Sequence, residues 1–257
     1  MKLLINKCLK FFNLRLVRNS NYEIFLRHSD IVRDFGLAKL IDPQLLEKYF
    51  ENLKFSKSQL RQDLFVLGEL GFKKGGFFVE FGATDGIELS NSFLLETRFG
   101  WNGILAEPAK KFHRDLANNR SVNIETDCVW KATGEKLIFN EVQNSELSTI
   151  ASFSNSDHHA KPRNDGERYE VNTISLDDLL EKFDAPKFID YLSIDTEGSE
   201  FEILNSFNFN KYKFKVITVE HNFNSNRNHL YDLLINNGYK RKFVECSSWD
   251  DWYVLCK

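Results

Sequence analysis

The 257 residues include four cysteines (Cys8, Cys128, Cys246 and Cys256), and no two of them stand at Cys-x-x-Cys spacing. That argues against a disulfide framework or a thiolate zinc site, and predicts reduced, mostly buried thiols in a cytoplasmic protein. A surplus of cations is also missing. The 34 Lys and Arg are outnumbered by 37 Asp and Glu, for a net charge of −3, which argues against a nucleic-acid partner held by bulk electrostatics. No apolar run reaches the roughly 18 residues of a membrane span, and no internal repeat is visible. The three glycines of a Gly-x-Gly-x-x-Gly dinucleotide fingerprint are absent as well.

What is present begins with a basic N-terminus. Residues 1–20 hold Lys2, Lys7, Lys10, Arg15 and Arg18 among leucines and phenylalanines, with no acidic residue. The charges interrupt the apolar stretch too often for a secretory signal. Two readings remain: an amphipathic helix packed on its own domain, or one resting on the inner face of a membrane. Residues 1–55 as a whole read as a helical extension, with Asp42 as an N-cap and Pro43 at the first helical position.

The segment from Ser56 to Leu70 reads as a further helix leading to Phe77-Phe78-Val79-Glu80-Phe81, a short apolar run bounded by glycines and of strand length. It enters Gly82-Ala83-Thr84-Asp85-Gly86, where glycines allow a sharp turn and a close backbone approach to a ligand. The spacing Glu80-x-Gly82-x-x-x-Gly86 favours S-adenosylmethionine over NAD. A second run, Gly103–Ala106, closes on Glu107, 27 residues after Glu80. An acidic residue at that strand end suits ribose hydroxyls, because an ionised carboxylate is acceptor-only. A third run, Val122–Glu125, ends near Asp127, a candidate for the adenine amino group. Ser90 or Asn91 is expected to cap a helix through Phe99, whose free N–H groups suit the cofactor carboxylate. Pro108 is expected to open the following helix.

From the first strand onward strands and helices alternate, which predicts an α/β fold with a mostly parallel central sheet and helices on both faces. Residues 137–175 break the alternation with two strand-like runs around a polar stretch holding His158 and His159. An interruption of that length is a candidate lid or acceptor-binding insertion. Strands 188–194 and 214–219 end in Asp195 and in Glu220-His221-Asn222, and an antiparallel strand pair is expected to close the chain. Ligands of open α/β sheets sit beyond such strand ends. Asp195 with Glu220 or Asn222 offers hard oxygen ligands for Mg²⁺. Alternatively, Asp195 or His221 acts directly as a base. The plainer reading has Glu197 and Glu200 capping the next helix.

These residues, taken together, carry a family resemblance. Glu80-Phe81-Gly82-Ala83-Thr84-Asp85-Gly86, Leu89-Ser90-Asn91-Ser92, Gly100-Trp101-Asn102-Gly103, Glu107-Pro108, Ser175–Leu180 and Asp195-Thr196-Glu197-Gly198-Ser199-Glu200 resemble FkbM-type methyltransferases. Ser58–Phe65 resembles the segment before that domain, so the likeness covers residues 56–257. The resemblance implies a Rossmann-like, S-adenosylmethionine-dependent fold and methyl transfer to a hydroxyl of a sugar, glycan or secondary metabolite. Many members carry a lysine two positions before the Asp of Asp-x-Glu-Gly; here Ser193 stands there. Two rival expectations are an NAD(P)-dependent oxidoreductase and a non-catalytic scaffold that keeps the fold.

Overall fold

The computed structural model describes residues 30–142, 148–153 and 165–256. The N-terminal segment 1–20 and most of the polar loop, with His158 and His159, lie outside the described residues. Residues 30–38 are helical. A 3₁₀ turn at Pro43–Leu45 then leads into α1 (Leu46–Leu53). Asp42 caps this entry as expected, its carboxylate accepting the Gln44 N–H at 2.9 Å.

The expected helix from Ser56 is shorter than predicted. Arg61 takes a left-handed backbone (φ 67°), so α2 spans Gln62–Glu69. Tertiary contacts hold the preceding turn in place: Arg33 Nη1 donates to the Gln59 carbonyl at 2.7 Å, and Arg61 Nε pairs with Asp34 at 2.8 Å.

Strand β1 (Phe77–Phe81) is followed by α3 (Phe93–Phe99) and β2 (Asn102–Ala106). A second 3₁₀ turn (Lys110–Phe112) precedes α4 (His113–Asn119). Pro108 therefore stands before this turn and does not open the helix. Ser92, not Ser90 or Asn91, is the N-cap residue of α3. Ser90 nevertheless does the capping chemistry, because its Oγ accepts the Phe93 N–H at 3.1 Å. Next come β3 (Asn123–Glu125), β4 (Cys128–Trp130), β5 (Lys136–Glu141), β6 (Thr149–Ile150) and β7 (Glu167–Ser175). α5 (Leu176–Lys182) starts at Ser175, whose hydroxyl accepts the Asp178 N–H. β8 (Phe188–Ile194), α6 (Glu200–Ser206), β9 (Lys213–Glu220), α7 (Arg227–Asn236), β10 (Tyr239–Lys242) and β11 (Asp250–Leu255) complete the chain.

The main sheet has seven strands in the order β10-β11-β9-β8-β1-β2-β3. β3, β2, β1, β8 and β9 run parallel, and β11 inserts antiparallel between β9 and β10. The chain order reverses at β1–β8, a switch point where such sheets open a crevice. The insertion is larger than the two strands expected. β4, β7, β5 and β6 form a second sheet of four strands, with β5 and β7 as its antiparallel centre.

Period-two alternation divides the main sheet into two packed faces. Val79, Phe81, Leu192, Ile194, Ile217 and Val219 meet α5, α6 and α7 on one side. Phe78, Leu105, Tyr191, Val216 and Trp252 meet α2 and α3 on the other. Leu37, Ala38, Ile41 and Tyr49 join that second core, so the described part of the N-terminal extension is built into the domain. Phe65 stacks on Trp252 at 4.7 Å between ring centres, both rings fully buried. Truncating either to alanine is expected to cost about 3–5 kcal/mol.

Candidate active site

Beyond the carboxyl ends of β1, β2 and β8 lies a cleft of about 980 Å³, counting its open mouth. Its floor is the turn after β1. Gly82 sits at φ 74°, and a Cβ there would lie 2.1 Å from the Asp195 carbonyl oxygen. The position thus excludes a side chain on two grounds, backbone angle and collision. Gly86, at φ 82°, is closed off in the same way by Leu116 and Arg120. Ala83 is buried under the turn. Asp85 shapes it, its carboxylate accepting the N–H groups of Ile87 and Glu88 at 2.8 and 2.9 Å.

Glu107 stands at the cleft wall beyond β2, buried, its two oxygens accepting the Thr84 and Ala109 N–H groups at 2.8 Å each. Burial pushes its pKa up to about 7 despite those bonds, with Glu141 and Asp195 adding to the rise. Glu80 and Asn91 also line the cleft. The Glu80 carboxylate accepts the Asn91 N–H at 2.6 Å and the hydroxyls of Ser90 and Ser92. Glu80 therefore already supplies the anion that the start of α3 was expected to take from a cofactor. The Asn91 side chain donates to Ser193 Oγ at 2.9 Å, leaving its own buried Oδ1 without a partner. Ser193 is thus a buried support for a cleft residue.

Arg120 had no signal in the sequence, yet it organises this wall. Its fully buried guanidinium bonds Glu96, the Gly86 carbonyl, Ser90 and Ser92, with Glu80 4.0 Å away. Asp127 is half-buried between β3 and β4, next to Cys128, which lines the cleft. Its N–H donates to Glu125 at 3.1 Å.

At the other end Asp195, Thr196, Glu197 and Ser199 line the cleft. Carboxylate oxygens of Asp195, Glu197 and Glu220 lie within 4.8 Å of one another, a grouping able to hold a cation. The expected third ligand, Asn222, instead donates to Glu197 Oε2 at 3.2 Å, and Glu197 replaces it in the cluster. Glu200, expected to cap the next helix, is its first residue and instead closes the turn before it, accepting the N–H groups of Thr196 and Gly198. Behind the cluster, burial and then Asp195, Glu197, Glu200 and Asp250 push the Glu220 pKa well up. Asp250 is raised to about 7 by burial and then by Asp195, while holding Gln62 at 2.8 Å.

His221 does not join this group. It follows Glu220 at the end of β9 and faces the other way, fully buried, with Nε2 3.8 Å from Asp251. Nδ1 accepts the Phe223 N–H at 3.0 Å, and burial lowers its pKa to about 4, so the ring is neutral. The insertion does reach the cleft: Phe139, Ser148 and Ile150 line it, and Thr149 Oγ1 donates to the Glu197 carbonyl at 2.9 Å.

The family model described as the methyltransferase FkbM domain matches residues 80–241. Solved structures with a similar fold include an FkbM methyltransferase from Methylobacillus flagellatus KT. It is 15% identical, with 88% of this chain and 59% of that chain covered, at a TM-score of 0.46. A precorrin-6y C5,15-methyltransferase from Geobacter metallireducens GS-15 is 11% identical over 75% of this chain and 85% of its own, at 0.40. A SAM-dependent methyltransferase from Aquifex aeolicus is 11% identical over 86% and 97%, at 0.36. No curated protein gives a significant match.

Proposed function

This chain belongs to the FkbM methyltransferase family, and we propose that it methylates a hydroxyl oxygen of a sugar, glycan or related metabolite. The observation that carries this reading is the juxtaposition of the side-chain-free Gly82 turn, Glu107 and Asp195 around one cleft.

The residues suit S-adenosylmethionine. An ionised carboxylate offers about four acceptor positions, and Glu107 uses two on backbone N–H groups. Two remain for the ribose hydroxyls. The orphaned Asn91 Oδ1 accepts a donor such as the cofactor ammonium, and Asp127 serves the adenine amino group. When bound, the cofactor supplies an electrophilic methyl carbon on a positively charged sulfur. The chain's own task is then to align the acceptor oxygen with that carbon and to exclude water, which is where much of the rate enhancement lies. Asp195, at the cleft wall, takes the proton that the acceptor hydroxyl must lose. The insertion residues Phe139, Ser148 and Ile150 select the acceptor.

A second reading is supported by the carboxylate grouping. Asp195, Glu197 and Glu220 would hold Mg²⁺, which would lower the acceptor's pKa and orient it. Methyl incorporation from labelled S-adenosylmethionine into a panel of sugar acceptors, with and without a chelator, tests both. Asp195→Asn is expected to lower kcat by about 10²-fold or more while S-adenosylhomocysteine still binds. Turnover unchanged in that variant would contradict the role of Asp195. Turnover unaffected by the chelator would remove the metal.

A further inference from the structure

Glu107 stands beyond β2, at one side of the cleft. β2 and β11 are four strand spacings apart in the sheet, about 19 Å. Trp249 comes immediately before β11, whose first residue, Asp250, pairs with Glu220 at the carboxyl end of β9. Half-buried, Trp249 lines the cleft while packing on the second core. Its carbonyl accepts the His221 and Asn222 N–H groups at 2.9 and 3.2 Å, and Ser248 before it takes a left-handed backbone (φ 52°). Leu89 also lines the cleft, partly exposed and likewise left-handed (φ 57°). A leucine rarely adopts that conformation, which is kept only where the surroundings impose it. Here a backbone bridge to Ser58 holds it. The chain just after Ser58 meets the neighbour of Trp249, because Gln62 donates to Asp250 at 2.8 Å. Two apolar side chains are thus fixed in place away from Glu107, and the polar residues Gln59, Glu88, Thr196, Glu197 and Ser199 line the same cleft.

We infer that Trp249 and Leu89 seat the methyl acceptor, and that the acceptor is a neutral pyranose ring. The inference rests on the methyl-transfer reading above and narrows the substrate class of that cleft. An indole presents a flat apolar face that carries partial negative charge. A pyranose presents a face of C–H groups with slightly positive hydrogens, and hydroxyls around its rim. The ring stacks on Trp249 and packs against Leu89, and its rim meets the polar side chains. A flat aromatic alcohol would stack as well, but it brings few hydroxyls to a wall of amide, hydroxyl and carboxylate groups. Charge narrows the class further. Glu88, Asp195 and Glu197 line the cleft, so a sugar bearing a carboxylate would be set against like charge. Trp249 and Leu89 belong to the main domain, so this seat is distinct from the insertion residues Phe139, Ser148 and Ile150.

The test is calorimetric titration of the full chain, saturated with S-adenosylhomocysteine, with the methyl glycosides of glucose, galactose, mannose and rhamnose, with methyl glucuronide, and with catechol. At least one neutral glycoside is expected to bind, and the glucuronide should bind more weakly. Trp249→Ala should weaken glycoside binding about tenfold or more, since the stacked apolar area is lost. Trp249→Phe should recover part of that loss, and all variants should keep the wild-type affinity for S-adenosylhomocysteine. Leu89→Ser, at a more exposed side chain, should weaken glycoside binding too and gives a reading independent of how Trp249 packs on the core. Glu88→Gln should narrow the gap between glucuronide and glucoside. Failure of every neutral glycoside to bind, binding unchanged in both Trp249→Ala and Leu89→Ser, a glucuronide bound as tightly as the glucoside, or catechol bound in preference to every glycoside would each overturn the inference. In those cases the bound S-adenosylhomocysteine leaves the methyltransferase reading standing. Folded protein that does not bind S-adenosylhomocysteine would refute that reading and the inference with it.

Discussion

Replacing Glu107 with glutamine should change how stability depends on pH. The carboxyl is fully buried and its pKa stands at about 7 against an ordinary 4.5. A raised carboxyl pKa means that the folded state holds the proton more tightly than the unfolded state does. Its charge therefore costs nothing below about pH 4.5, and stability falls as pH rises from there through about 7. At about 1.4 kcal/mol per unit, the loss is on the order of 3 kcal/mol above pH 7. Asp250 and Asp63 are raised to about 7 and about 6 by burial and titrate in the same window, but they do so in both proteins. The difference between the two proteins isolates Glu107. Urea unfolding without ligand, from pH 5 to pH 8, is expected to show wild type losing about 3 kcal/mol more than Glu107→Gln. Parallel stability curves would show that Glu107 is not held protonated by its surroundings, and the electrostatic account of the cleft would fail. The same reasoning gives ligand binding a pH dependence: affinity for S-adenosylhomocysteine should fall as pH drops below about 7, because the acceptor-only carboxylate is then lost.

Arg120→Ala should destabilise by about 3–5 kcal/mol, read by urea unfolding, because it strands the buried carboxylate of Glu80 and the partly buried one of Glu96. A loss below about 1 kcal/mol would mean that the pairing matters little. Gly82→Ala should abolish cofactor binding and lower the melting temperature, since the new methyl would lie 2.1 Å from the Asp195 carbonyl. Unchanged calorimetric binding would show that the turn yields easily. His221→Gln should leave kcat within a few-fold of wild type, because the ring faces Asp251 and does not line the cleft. A drop of about 10²-fold with ligand binding intact would restore it as a base.

Several elements could be read from the sequence because local rules decide them. Strands 77–81 and 188–194 are short apolar runs closed by turn residues, and Ser175 and Asp42 cap where their chemistry suggests. Long-range contacts were not legible in this way. Arg120 bonds groups 24 to 34 residues away, and nothing near it in sequence marks that role. The helix expected from Ser56 is shortened by Arg61, whose left-handed backbone is held by Asp34, 27 residues earlier. The strand-end acids illustrate a different limit. Glu220 and His221 are neighbours, and successive side chains of a strand point to opposite faces, so the pair does not converge on one site. Glu220 joins Asp195 and Glu197, and His221 turns to Asp251. Glu197 looked like a helix cap because the left-handed turn that brings it back (φ 57°) leaves no signature in composition.

Calorimetric titration of the full chain with S-adenosylhomocysteine, set beside NAD and the Glu107→Ala variant, tests the central claim most directly. The account predicts binding of S-adenosylhomocysteine, none of NAD, and loss of binding in the variant. Folded protein that ignores S-adenosylhomocysteine, or that binds NAD instead, would contradict it.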